Sequence, residues 1–169
     1  AYNAFTLKLI LEYYPVDSIM DIPEKKRWSH KRWNVGGRIV SLDELEKQWM
    51  LPTFKEPRIH FVVVCAAYSC PILRREAYTA DKLEAQLEDQ TNYTHTHPRW
   101  LIYEGGETVH LTKLYEWYAD DFKWDAPSVL AYVARYSKPV REAMEAGKEL
   151  GIEYIEYDWT LNDVRFKDR

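Results

Sequence analysis

Apolar positions change their spacing several times along this chain, and each change marks an element. Ala4, Phe5, Leu7, Leu9, Ile10, Leu11 and Tyr14 recur at helical spacing up to Pro15. So wide an apolar face predicts a largely buried helix. Residues 15–34 carry Pro15, Pro23 and many charges and read as loop. Gly36-Gly37 before Arg38-Ile39-Val40 predicts a short strand or hairpin arm. Ser41-Leu-Asp-Glu44 has the form of a capping box, in which the hydroxyl takes an orphan amide and the carboxylate reaches back. A helix from Leu42 to about Met50 should follow, stopped by Pro52.

The central stretch runs from Pro57 to Pro71. Phe61 to Ala67 is an unbroken apolar run rich in β-branched residues, which predicts a strand covered on both faces. Thr79 reads as the N-cap of a helix over roughly Ala80–Asn92, closed by Thr94-His-Thr-His97-Pro98. Trp100–Tyr103 and Thr108–Leu111 flank Glu104-Gly-Gly-Glu107, a hairpin signal. Thr112 caps a helix through Trp117 to about Asp121, Pro127 opens another through Ala134, and Pro139 opens a third ending near Gly147 or Gly151. Ile152–Tyr157 alternates as a strand and leads into Asp158-Trp159-Thr-Leu-Asn162. The mixture predicts one α+β domain over 1–169, with a small, mainly antiparallel sheet flanked by helices.

Composition narrows the class. The 169 residues are a one-domain length. A net charge of −4 argues against a broad nucleic-acid footprint. Aromatic residues reach 15%, which fits either a ring-filled core or a ring-lined groove. No apolar run approaches the roughly 18 residues of a membrane span. The chain opens at Ala1-Tyr2-Asn3-Ala4, inside a helical pattern and without Met, so a preceding helical segment is expected.

Several stretches together resemble the family called domain of unknown function 547 (DUF547). They are Tyr2-Asn3-Ala4, Gly36-Gly37 before Ser41-Leu42, Arg58-Ile59-His60-Phe61, Cys65 with Ser69-Cys70-Pro71, Trp117-Tyr118 with Asp121-Phe122, and Tyr157-Asp158-Trp159 with Leu161-Asn162. They follow the family order almost end to end. The resemblance is to the bacterial branch, which carries both cysteines and the histidine. That branch is often exported, which implies a periplasmic or envelope location. The family name records no activity, so the resemblance implies a fold and a place to look. A more distant likeness to papain-like and transglutaminase-like thiol enzymes implies acyl chemistry.

The candidate chemistry centres on Cys70. A thiol before Pro71 and near a helix start suits a nucleophile. A buried small side chain, or a disulfide with Cys65, is the bland alternative. Cys65, late in the apolar run, reads as structural, yet it belongs to the candidate set. His60 is the candidate base, or a histidine that holds a loop. On a straight strand His60 and Cys65 would point to opposite faces, roughly 16 Å apart, so any partner of His60 among the thiols would be Cys70, reached by a fold-back. Asp158 could orient the imidazole, or form a capped turn with Asn162. Its side of the sheet would depend on how its strand pairs with the central one. Asn3 could bring a polar group to the site or tie a loop. His110 is a second possible base, because Cys70, His110 and Asp158 follow the papain-like order. His95 and His97 have metal-ligand character but read as an exposed turn. His60, Cys65 and Cys70 are zinc-compatible types at no standard zinc spacing, so no metal or cofactor is called for.

The leading expectation is a cysteine hydrolase or acyl transferase acting on an amide or ester. Its substrate would be a peptide, glycan or small molecule. A binding or scaffold domain, and a redox module cycling Cys65 with Cys70, stand as alternatives.

Overall fold

Helices and small sheets share the described residues, 1–166 of the computed structural model, in an α+β fold. The helices are α1 (Tyr2–Tyr13), α2 (Leu51–Phe54), α3 (Leu83–Thr96), α4 (Leu114–Trp117), α5 (Ala119–Phe122), α6 (Val129–Tyr136) and α7 (Lys138–Glu145). Strands β1 (Trp33–Val35) and β2 (Arg38–Val40) form an antiparallel hairpin. Strands β3 (Leu101–Ile102), β4 (Thr108–Thr112) and β5 (Gly151–Ile155) form a mixed sheet, antiparallel between β3 and β4 and parallel between β4 and β5. No helix among the described residues is long and apolar enough to cross a membrane.

The chain divides into two compact units. The first takes Ala1–Lys55, Val63–Leu73 and, among the described residues, 158–166. Its core packs Leu9 and Ile10 of α1 with Ile19, Ile22, Trp33 and Leu42. Trp33 also stacks on Phe5 at 4.8 Å. Leu11 of α1 is 71% exposed and Leu7 is 40% exposed, so the helix buries a narrower stripe than its sequence predicts. The capping box forms as read: Ser41 Oγ accepts the Glu44 amide at 3.1 Å and Glu44 Oε2 accepts the Ser41 amide at 2.9 Å. Such a cap contributes about 1 kcal/mol. The helix it starts is π-wound over Glu44–Met50 and then runs through Pro52 in α2, ending at Lys55 in a left-handed conformation. Proline does not stop it: Pro52 falls where the winding changes from π to α, and the helix passes through a residue that has no amide to donate.

The second unit takes Glu56–Val62 and Arg74–Tyr157. Phe61, Tyr115, Phe122, Tyr132, Val109 and Leu111 fill its core, so here much of the aromatic content is core. Ser128, beside the expected Pro127, caps α6 by accepting the Ala131 amide at 3.1 Å. The α3 start differs from expectation: Thr79 only closes a turn, its carbonyl accepting the Lys82 amide, and the helix begins at Leu83.

The largest departure is the central run. Phe61–Ala67 is not a strand. Pro57–Phe61 is a 3-10 turn, and the chain then continues as irregular loop. The last strand therefore has no central strand to join, and β5 pairs with β4. The strand-face argument that separated His60 from Cys65 falls with it.

Candidate functional site

In the first unit, loop 63–70 arranges its backbone around the Cys70 sulfur. The Cys65 amide donates to Cys70 Sγ at 2.9 Å, and the thiol is turned toward the Val63 carbonyl at 3.9 Å. Neither cysteine is in a disulfide, and Cys70 is buried. Asn3 Oδ1 accepts the Val64 amide at 3.0 Å, so this motif residue ties the loop to the start of α1. Ala66 sits at φ 65°, a left-handed conformation that costs a residue with a Cβ roughly 1–2 kcal/mol.

What holds that conformation is the segment from Asp158 to Asn162. The Ser69 amide donates to the Asp158 carbonyl at 3.2 Å, the Tyr68 amide to the Thr160 carbonyl at 2.7 Å, and the Asn162 amide to the Ala66 carbonyl at 2.8 Å. The Asp158 amide in turn donates to Ser69 Oγ at 2.9 Å. Each such bond contributes about 1 kcal/mol, enough together to offset the strain at Ala66. Asp158, expected to orient an imidazole, uses Oδ1 to accept the Thr160 amide at 2.8 Å. That is the turn-forming role of aspartate.

Beside the thiols lies a residue pair that periodicity does not single out. Tyr2 and Glu46 are both buried, and their side chains are hydrogen-bonded. Burial pushes the Tyr2 phenol well above its ordinary range, with the Glu46 charge adding to the effect. Glu46 reaches the interior from the π-wound turn, a helix form that recurs at functional sites.

In the second unit, the 3-10 turn presents His60. Arg58 fixes that turn: its Nε and Nη2 hold Glu56 at 2.9 and 2.7 Å, while Nη1 and Nη2 hold Glu84 of α3 at 2.7 and 3.0 Å. His60 is 1% exposed, and its Nε2 meets Asp121 Oδ2 at 2.9 Å. A carboxylate only accepts, so Nε2 carries the proton and Nδ1 carries the lone pair. Nδ1 is buried with no hydrogen-bond partner among the described residues. Tyr118 stacks on the ring at 4.0 Å. Burial lowers the His60 pKa from its ordinary value, against the hydrogen bond and charge of Asp121, which raise it. The ring is thus kept neutral with an available lone pair. Asp121 was legible only as part of Asp121-Phe122 in the family resemblance, since nothing local links it to a histidine 61 residues away.

The other histidines have different settings. His95 is not in an exposed turn: it is 3% exposed, its Nδ1 donates to the Thr91 carbonyl at 2.7 Å, and its Nε2 accepts from the Tyr115 hydroxyl. His97 accepts the Arg99 amide at 3.1 Å. His110, on β4, lies beside Glu153 of β5 at 3.6 Å on the solvent side. No three His, Cys, Asp or Glu side chains among the described residues are grouped to hold a metal ion.

A family model described as protein of unknown function, DUF547, matches residues 1–93. The match takes in α1, the capping box, the His60 turn and both cysteines, while Asp121 and the segment 158–162 lie beyond it. No curated protein and no solved structure matches the chain.

Proposed function

The chain belongs to the DUF547 family, and from that premise we propose a thiol-dependent hydrolase or acyl transferase acting on an amide or ester carbonyl. Cys70 of the first unit is the nucleophile; within the second unit, Asp121 orients a His60 imidazole that burial keeps in the neutral form of a base. The single observation that carries the reading is the Cys65 amide on Cys70 Sγ at 2.9 Å. A backbone donor on sulfur favours the anion over the thiol, and the anion is the attacking species. The second support is the His60 ring, neutral and holding an unspent lone pair on Nδ1. In the reaction, a general base accepts the thiol proton, sulfur adds to the carbonyl carbon, and the leaving group departs with that proton. Water or another acceptor then releases the acyl group.

The test is the pH dependence of iodoacetamide alkylation at Cys70 in the full chain, followed by peptide mass. A midpoint reads thiolate formation independently of how easily reagent enters. The expected midpoint lies below the ordinary cysteine value of about 8.5. A wild-type midpoint at or above that of the urea-unfolded chain removes Cys70 as a nucleophile.

A further inference from the structure

Loop 63–70 meets the Cys70 sulfur with two groups of opposite kind. One is the Val63 carbonyl, 3.9 Å from Sγ; the other is the Cys65 amide, 2.9 Å from it. The carbonyl suits the protonated thiol, which donates. The amide suits the thiolate, which accepts. The balance between them depends on how the peptide planes of the loop are set, because neither group can turn alone.

The plane linking Val63 to Val64 has a visible anchor. Its N–H is held by Asn3 Oδ1 at 3.0 Å. A trans peptide is rigid and planar, with its N–H and C=O pointing in opposite directions. Gripping the Val64 N–H therefore fixes where the Val63 carbonyl points, and that carbonyl is the one turned to Cys70. The next plane along carries the Cys65 N–H. One side chain from the first turn of α1 thus fixes the carbonyl that faces the sulfur and anchors the peptide next to the one that carries the donor amide.

We propose that the Cys65 backbone amide is the fixed donor to the Cys70 thiolate, and that Asn3 is the positioning residue that aims it. Cys65 then serves the thiol centre through its main chain. Asn3 touches no reacting atom and acts through the Val64 peptide. The inference rests on the reading of Cys70 as the reactive thiol, and it deepens that reading by naming what sets the thiolate population. The same donor lies beside the sulfur to which an acyl carbon would bond, where a developing oxyanion needs a hydrogen bond.

Two measurements on the full chain test this. In the ¹⁵N-labelled wild type, the Cys65 amide resonance should shift as pH rises, with the same midpoint as Cys70 alkylation. In Asn3→Ala both groups loosen, but the amide at 2.9 Å outweighs the carbonyl at 3.9 Å, so the alkylation midpoint should rise by about one unit, with roughly tenfold less thiolate at a given pH below it. Asn3→Leu keeps side-chain bulk without an acceptor and should behave the same way, which covers the case in which the alanine variant does not fold. A Cys65 amide that ignores Cys70 ionisation overturns the proposal. So does a folded Asn3→Ala or Asn3→Leu whose profile superimposes on the wild type. Because the shift is read between variants, it is distinct from the absolute midpoint on which the nucleophile reading depends.

Discussion

The second unit buries histidines in two regions, the turn 57–61 and the helix α3, and they are finished differently. His95 has both ring nitrogens engaged, one by the Thr91 carbonyl and one by the Tyr115 hydroxyl. His60 has one nitrogen on the Asp121 carboxylate and the other buried with no partner among the described residues. Burial depresses the pKa of both, that of His95 to about 4. Depth and a lowered pKa therefore do not separate a structural histidine from a chemical one. Satisfaction does. A ring whose hydrogen-bonding capacity is used up stabilises the fold, while a lone pair left over at a buried position is a cost the fold carries, of the kind that persists at functional sites.

The strongest way to break that comparison is to remove each ring. His95→Leu leaves the Tyr115 hydroxyl without its acceptor in a dry core and loses the ring contact with Tyr136 at 4.9 Å. It should cost about 3–4 kcal/mol in urea unfolding. His60→Leu discards the unspent nitrogen and leaves Asp121, which is 20% exposed, to water. Its cost should be about 1–2 kcal/mol. Equal losses would mean that His60 is as structural as His95.

Acid probes the same pair without mutation. The folded chain holds both histidines below their ordinary pKa, so between those values the unfolded chain binds more protons. Stability is then complete above about pH 6.5 and falls as pH drops through the window toward 4. For His95 the window from 6.5 to about 4 corresponds to about 3 kcal/mol. His60 adds to the loss in the same direction. Unfolding free energy measured from pH 7 to pH 4 should show this decline, and His95→Leu should flatten most of it. A wild-type curve that is flat over that range contradicts the assignment of His95 as a buried neutral ring.

These histidines also show where the sequence is legible. Local signals hold at the Ser41–Glu44 box, the hairpin across Gly36-Gly37 and the pairing of β3 with β4 around Glu104–Glu107, where the deciding partner is near in the chain, and fail at Thr79 and Pro52. His95 was misread because the inward face of α3 is polar. Gln86, Gln90, Thr91 and Thr94 are buried with it, so the helix shows no apolar stripe at that end. The run from Phe61 to Ala67 was misread for a related reason. Its hydrophobicity reports burial, and its β-branched content suggests a ladder. Its backbone instead hydrogen-bonds to Asn3 and to Asn162, partners no window of sequence contains. Cys70, His60 and Cys65 stand out by residue type and Asp121 only through the motif Asp121-Phe122, whereas Glu46 becomes visible only once the chain has folded.

The finest test bears on what Asp121 does for His60. Both its hydrogen bond and its charge raise the His60 pKa against the effect of burial. Asp121→Asn keeps a carbonyl oxygen that can still accept the Nε2 proton but removes the charge. If Asp121 serves as an orienter that stabilises imidazolium as it forms, the His60 midpoint, followed by NMR of the ring, should fall further, by about one unit or about 1.4 kcal/mol. The fold should be nearly unchanged, because one neutral acceptor has replaced a charged one at a half-open position. A midpoint that stays in place would mean that the carboxylate contributes only a hydrogen bond, as the Thr91 carbonyl does for His95. The two rings would then differ in a single unspent nitrogen and in nothing that favours proton transfer.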